Sequence, residues 1–350
     1  MKSPKQTRFY ELGKGDFLNF VDALIKKDLG RVIGVKARGN KFIFDGLDSA
    51  EELRLDQDVT VLPPKKYFLP ATESMLRYRL KEFSVQEVFD ATPLIIIGIH
   101  PYDLVALEQM DVVLKETNPD YHYLRRREQS ILIGVNMQKV SSYAFAGSMG
   151  TATTDHGFDL MLTDLGDRYA IEVGSEKGQR LLENYANAPS ASPETIAKVR
   201  SAETEILSKF ERRINFSPKE LPELLEKNYN NELWSEKAKK CLKCGSCNLV
   251  CPTCYCFDVQ DVPDLNLKGG ERVRKWDGCL LEDFAKVATG ENFRSDMAGR
   301  YRHRFMRKGK YIHDKFGFIA CVGCGRCSSA CLPDIADPTD VFNSLKEAAA

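Results

Sequence analysis

Eight cysteines repeat one spacing, C-x2-C-x2-C-x3-C, first as Cys241, Cys244, Cys247 and Cys251 and again as Cys321, Cys324, Cys327 and Cys331. Thiolates at that spacing bind iron. Three cysteines a short turn apart wrap three irons of a cubane [4Fe-4S] cluster, and the fourth points away to complete the other cube of a two-cluster ferredoxin. The spacing therefore predicts two clusters with crossed ligands. Cys241, Cys244 and Cys247 share one with Cys331, and Cys321, Cys324 and Cys327 share the other with Cys251. Structural zinc is the weaker reading, because zinc ribbons use paired C-x2-C knuckles of two cysteines each. Disulfides are weaker again: the opening residues MKSPKQTRFYELGKGDF have no apolar signal segment, so nothing directs the chain to an oxidising compartment. A thiol-rich chain of this kind suits a reducing cytoplasm and anaerobic metabolism.

Cys254, Cys256 and Cys279 complete the eleven cysteines. They can supply three ligands to a third iron–sulfur cluster, with Asp258, Asp277 or a partner's residue as the fourth. They can equally be buried packing residues, or a reversible dithiol. The two motifs also end differently. Pro252 follows Cys251 and has no amide to offer, whereas Leu332 follows Cys331, with Pro333 one place later. An extra N–H beside the cluster of Cys241, Cys244 and Cys247 would stabilise its reduced form and raise its potential.

The elements that must position these thiols divide along the chain. All eleven cysteines lie between Cys241 and Cys331 of the 350 residues, and the polar stretch Asn228-Tyr229-Asn230-Asn231 precedes the first motif. This places a domain junction near 230, with a mixed α/β domain over 1–230 and the cluster domain over 231–350. The sixty-nine residues between Cys251 and Cys321 are far more than a minimal ferredoxin needs. Apolar spacing reads as helix at Leu280 to Val287 and Met297 to Met306, so the cluster domain is expected to be a mostly helical ferredoxin type. The fold class is α+β.

In the first domain, Phe17 to Ile25 has helical spacing, and Arg31 to Ala37 and Lys41 to Phe44 flank a Gly-containing turn as a hairpin. Val59 to Leu62 reads as a short strand. Leu94 to Ile99 is the continuous aliphatic run of a buried strand, followed by a helix pattern from Asp103 to Leu114. Ser130 to Val135 reads as another strand, and Phe158 to Leu162 with Arg168 to Val173 as a hairpin. Ser192-Pro193 and Ser217-Pro218-Lys219-Glu220 carry helix N-cap signals, the second with a capping box. No G-x-G-x-x-G or P-loop calls for a nucleotide. The segment Gly147 to Thr154 reads as a plain surface loop rather than a phosphate cradle. Of the five histidines, His100, at a strand end beside Tyr102 and Asp103, is the most site-like. The Ala-rich C-terminal tip is expected to fray.

Fifty basic residues balance fifty acidic ones, which argues against nucleic acid as a partner. No apolar run is long enough for direct membrane insertion. The basic stretch RSDMAGRYRHRFMRKGK, residues 294–310, reads either as a solvated helix face or as a docking surface for an acidic electron carrier or subunit.

The passages CLKCGSCNLVCPTCYCFDVQD, ERVRKWDGC, GENFRSDMAGRYRHRFM and KFGFIACVGCGRC resemble two related families: the beta subunit of cytoplasmic sulfhydrogenases (NiFe hydrogenases), and the A-type iron–sulfur component of anaerobic sulfite reductases. The likeness continues upstream through KKYFLPATESMLRY, IIIGIHPYDLVALEQMD, YLRRREQSILIGV and GFDLMLTDLGDRYAIEVGSEKG. It implies an iron–sulfur electron-transfer subunit of a cytoplasmic multi-subunit oxidoreductase. Such a subunit relays single electrons between two partners. One is a flavin/NAD(P)-binding subunit; the other is a catalytic subunit of hydrogenase, sulfite reductase or heterodisulfide-reductase-like type. On that reading the chain itself breaks no substrate bond. The alternative is a redox enzyme that uses Cys254, Cys256 and Cys279 as active thiols or as an open cluster site.

One departure bears on the first domain. The family resemblance implies cysteines where this chain has Tyr102, Ala144 and Ala146, and near Met137, positions suited to a further cluster. With those thiols replaced, the 1–230 domain is expected to bind no metal and to serve for docking.

Overall fold

The computed structural model describes residues 8–27, 29–90 and 92–348. The opening segment through residue 7 and the last two alanines of the Ala-rich tip lie outside the described residues. The cysteine-free part of the chain supplies nine strands, β1 (Arg8–Gly13), β2 (Arg31–Arg38), β3 (Lys41–Gly46), β4 (Thr72–Arg79), β5 (Ser84–Glu87), β6 (Leu94–Ile99), β7 (Ile131–Val135), β8 (Leu160–Asp164) and β9 (Arg168–Val173). Seven of them form one sheet in the order β1-β9-β8-β7-β6-β2-β3. Its centre, β8-β7-β6-β2, is parallel, and antiparallel pairs close both edges.

The aliphatic runs explain the layering. A parallel strand covered on both faces needs apolar side chains at every position, and all six residues of β6 are buried. Ile95 and Ile97 pack with Phe17, Phe20, Val21 and Leu24 of the helix Lys14–Lys26. Leu94 and Ile96 pack on the opposite face with Leu104, Leu107 and Met110 of the helix Pro101–Lys115. A bulge between Ile97 and Ile99 breaks this alternation, so that Ile99 joins Ile96 on the same face. Gly98 takes φ 92° there and accepts a hydrogen bond from the Gln57 amide, 2.8 Å away. The bulge re-aims the residues that follow, His100 to Asp103.

Strand β10 (Phe257–Pro263) and strand β11 (Gly269–Trp276) form a hairpin just beyond the first cysteine motif. It pairs with β4 and β5 in a second, antiparallel sheet of order β10-β11-β4-β5. The sheet therefore draws strands from both sides of the junction read near 230. The helix Leu221–Lys227 also crosses it in effect: Leu221, Leu224 and Leu225 share a core with Trp234, Tyr301, Phe305 and Phe342 of the cluster region. Helices Leu233–Ala238, Met297–Met306 and Pro338–Ala348 surround the cysteine motifs. The fold is α+β.

Most elements stand where the sequence places them, including the Ser192 N-cap and the Ser217/Glu220 capping box. Three do not. Val59 to Leu62 makes one isolated bridge, Phe42 to Thr60, because β3 already closes that edge. Leu280 to Val287 is a run of turns rather than a helix. The Arg300 guanidinium reaches into it and donates to the carbonyls of Cys279, Leu281, Glu282 and Phe284, taking the oxygens that a helix would have bonded internally. The segment Gly147 to Thr154 is not a plain surface loop. Ala152 is buried, and the Thr151 hydroxyl donates to the Val322 carbonyl at 2.7 Å, so the segment packs against the second motif.

Candidate metal centres

Each cysteine motif folds into the same local shape. Gly245 and Gly325 adopt left-handed backbone, with φ of 68° and 75°, and open one-turn helices at Ser246–Leu249 and Arg326–Ser329. Two residues earlier the chain is left-handed again, at Lys243 in the first motif and Gly323 in the second. Lys243 is exposed, so a side chain is tolerated there. A Cβ on Gly323 would lie 2.7 Å from the backbone of Ala146, so only glycine lets the second motif seat against the first domain. The amides of these two residues donate to Cys241 and Cys321 respectively.

The motifs bring the eight thiols together around two cavities. One, of about 330 Å³, is lined by Cys241, Cys244, Cys247 and Cys331, with Leu280, Tyr301 and Ile335 in its wall. The other, of about 450 Å³, is lined by Cys251, Cys321, Cys324 and Cys327, with Phe145, Phe305 and Phe342. In each cavity three cysteines come from one motif and the fourth from the other. Among the described residues no three His, Cys, Asp or Glu donors close on a single ion-sized point. Thiols spaced around a void suit a polynuclear cluster better than one tetrahedral ion.

The surrounding charges fit the same group. Arg304 is 4% exposed, lines the larger cavity and faces Cys247 of the smaller one as well as Cys327, and its Nε has no hydrogen-bond partner. Buried Lys308 donates to the Thr253 hydroxyl at 2.7 Å; burial opposes its charge, but Cys251 and Cys254 outweigh burial and hold its pKa above the ordinary value. Burial pushes Lys65 down to about 8 against the pull of Cys254 and Cys251. Buried cations without an anion are costly, and thiolate-ligated clusters carry net negative charge in the two cavities these residues face. Burial also pushes the Cys321, Cys324 and Cys247 thiols up to about 12, so coordination must displace their protons.

Arg300, Arg304 and Lys308 recur every four residues on one face of a continuous helical segment, and all three are buried. This corrects both readings of the basic stretch. Its inward face serves the cluster region, while Arg302 stacks on Tyr229 and Lys310 pairs with Glu226 and Asp314. The i, i+4, i+8 spacing is present in the sequence, but a run of arginines reads as solvated until the helix is seen to be wrapped.

Residues 240–335 match the 4Fe-4S dicluster domain family. Along almost its whole length the chain is also similar to the sulfhydrogenase 2 subunit beta of Pyrococcus furiosus, with 32% identity over 341 residues, 97% of this chain and 99% of that protein. The chain belongs to the sulfhydrogenase beta-subunit family. A shorter similarity, 30% over 99 residues, covers 27% of this chain and 24% of the F420-dependent formate dehydrogenase 1 subunit beta of Methanococcus maripaludis. The relatives are subunits of multi-subunit oxidoreductases, and this sulfhydrogenase beta-subunit homologue carries the cluster-binding domain as its C-terminal part.

The first domain of this family member meets the larger cavity at the C-terminal ends of its parallel strands, where open α/β sheets ordinarily bind ligands. Here the second motif fills that place. Arg326 donates to both carboxylate oxygens of Asp103 and to the carbonyl and hydroxyl of Thr60. Tyr102, Met137, Ala144 and Ala146 come together in one apolar cluster with Phe210, Val322 and Cys324. His100 is buried beside them. Its Nδ1 lies 2.7 Å from the Tyr102 hydroxyl, and burial, reinforced by Arg326, pushes its pKa down to about 3. It is a neutral packing histidine, which corrects its site-like reading.

Proposed function

We propose that the chain relays single electrons through two [4Fe-4S] clusters, one held by Cys241, Cys244, Cys247 and Cys331 and the other by Cys251, Cys321, Cys324 and Cys327. Cubane clusters, when bound, accept and return one electron at a time. The observation that carries the reading is the shared Arg304, whose guanidinium faces thiols of both cavities. The chain's own residues supply the ligands, exclude water and place fixed positive charge where an added electron raises the negative charge. Phe145, Phe305 and Phe342 wall the inner cavity. Cys244 is the exposed thiol among the eight, and Leu242 and Leu332 beside it are exposed too. That edge is where a partner's redox centre comes within reach.

The partners are two, in a cytoplasmic complex of anaerobic metabolism. One is a flavin/NAD(P)-binding subunit; the other is a catalytic subunit of hydrogenase, sulfite reductase or heterodisulfide-reductase-like type. No helix among the described residues is long and apolar enough to cross a membrane. The 1–230 part binds no metal and serves for docking, its Tyr102, Met137, Ala144 and Ala146 forming an apolar seat for the second motif. Anaerobic purification of the tagged chain with its partners, followed by assays with pyridine nucleotide, hydrogen and sulfite, tests this. Recovery of both a flavoprotein and a catalytic subunit supports it; a chain that turns over sulfite or disulfides alone contradicts it.

A further inference from the structure

A relay needs a way in and a way out, and the eight motif thiols offer one surface edge, at Cys244. The inner cavity is closed by the first domain on the side of Cys324. Its other side is Cys251, and there the remaining three cysteines gather. Cys254 interacts with the Cys251 thiol itself. Cys256, which ends the same segment, lies against the Cys279 thiol, brought in by the turn after β11. On its other side Cys279 meets the imidazole of His303, from the helix Met297–Met306.

We propose that Cys254, Cys256, Cys279 and His303 hold a third iron–sulfur centre, which extends the relay from the inner cluster toward the β10–β11 hairpin. This rests on the relay reading above. Four donor side chains from three separate segments converge on one place. The charge around them is positive: Lys65, 2% exposed, donates to the Cys254 carbonyl at 2.6 Å and faces Cys254, Cys251 and Cys256, while Lys308 and Arg307 also face Cys256. Plain packing cysteines would not need a buried lysine. The donors do not close on one ion-sized point, and neither do the eight motif cysteines, so a polynuclear centre suits them better than a single metal ion.

The fourth ligand is where the structure differs from expectation. Asp258 is exposed and accepts from Gln260, and Asp277 accepts from the Gly278 amide. His303 is the donor that reaches Cys279. Imidazole in place of thiolate raises the potential of an iron–sulfur centre, as histidine ligation does in Rieske clusters.

Iron and acid-labile sulfide counted on the anaerobically purified full chain test the proposal. The two motif clusters account for about eight irons. The proposal expects about ten to twelve, with the excess lost in the Cys256→Ala/Cys279→Ala double variant while the two motif clusters keep their EPR signals. A count of about eight in the wild type overturns it whatever the variant does, and leaves the two-cluster relay standing. In that case two thiols that form a disulfide on mild oxidation would identify a Cys256–Cys279 dithiol. Reversible reduction of the motif clusters is read in the same samples, so failure of the relay is seen separately. His303→Cys supplies a second test: the third centre should keep its iron and shift to a lower potential. An unchanged potential removes His303 from the ligand set.

Discussion

The Arg326 guanidinium and the Asp103 carboxylate form a buried two-armed ion pair, with Nη1 and Nη2 standing 2.7 and 2.6 Å from the two oxygens. Both side chains are 3% exposed, and they lie 223 residues apart in the chain. The pair fixes the second cysteine motif, one residue before Cys327, to the bulged end of β6. It ties the part of the chain without thiols to the part that holds them all.

Removing one member of such a pair leaves the other charge buried and unmatched, at a cost of about 3–5 kcal/mol. Asp103→Ala should therefore destabilise the iron-loaded chain by about that amount in denaturant unfolding. The signal of the inner cluster should be lost before that of the outer one. Replacing both partners with apolar residues, Asp103→Leu with Arg326→Met, should recover much of the stability. If the double variant is as unstable as the single, the pair's role is something other than charge matching.

Arg304 makes a redox prediction. Its fixed charge favours the more negative, reduced state of both clusters, so Arg304→Gln should lower both midpoint potentials by on the order of tens of millivolts at an effective dielectric of about 20. Arg302→Gln, two residues away and stacked outward on Tyr229, should leave them in place. A redox titration of the three proteins side by side separates these outcomes.

Leu332, exposed just beyond Cys331, offers an amide that Pro252 lacks at the matching place. Leu332→Pro should lower the potential of the outer cluster alone. Equal potentials in variant and wild type would remove that amide from the account.

His100 sets an acid limit. Its pKa falls from the ordinary 6.5 to about 3 in the folded chain, chiefly through burial. Between those values the unfolded chain binds a proton that the native chain refuses. The stability this neutral histidine allows is complete above pH 6.5 and is lost as pH falls toward 3. His100→Gln should therefore lose less stability than the wild type between about pH 7 and about pH 5, in denaturant melts at both values. Equal losses would contradict the assignment.

These outcomes also show what the residues disclose before any fold is known. The β6 run and the helix after it are legible because a strand buried on both faces must be aliphatic throughout. The cysteine groups are legible because cluster geometry dictates their spacing. The β10–β11 hairpin is not. Its seven-residue first strand is exposed along its length, and it is a strand because β11 and β4 supply its sheet, a long-range pairing that leaves no periodic trace. The turns at Leu280 to Val287 read as helix because their carbonyls are satisfied by Arg300, from outside the segment. Arg304 and Lys308 read as surface for the same kind of reason: the anions that justify burying them belong to the clusters, not to the amino-acid sequence.

The most direct test of the central claim compares EPR-monitored redox titrations of four single variants, Cys331→Ser and Cys241→Ser against Cys251→Ser and Cys321→Ser. The account predicts that Cys331→Ser disturbs the same reversible one-electron signal as Cys241→Ser, and that Cys251→Ser disturbs the same one as Cys321→Ser. If Cys331→Ser instead perturbs the Cys321 signal, or if the wild type shows no reversible signal, the crossed two-cluster relay is wrong.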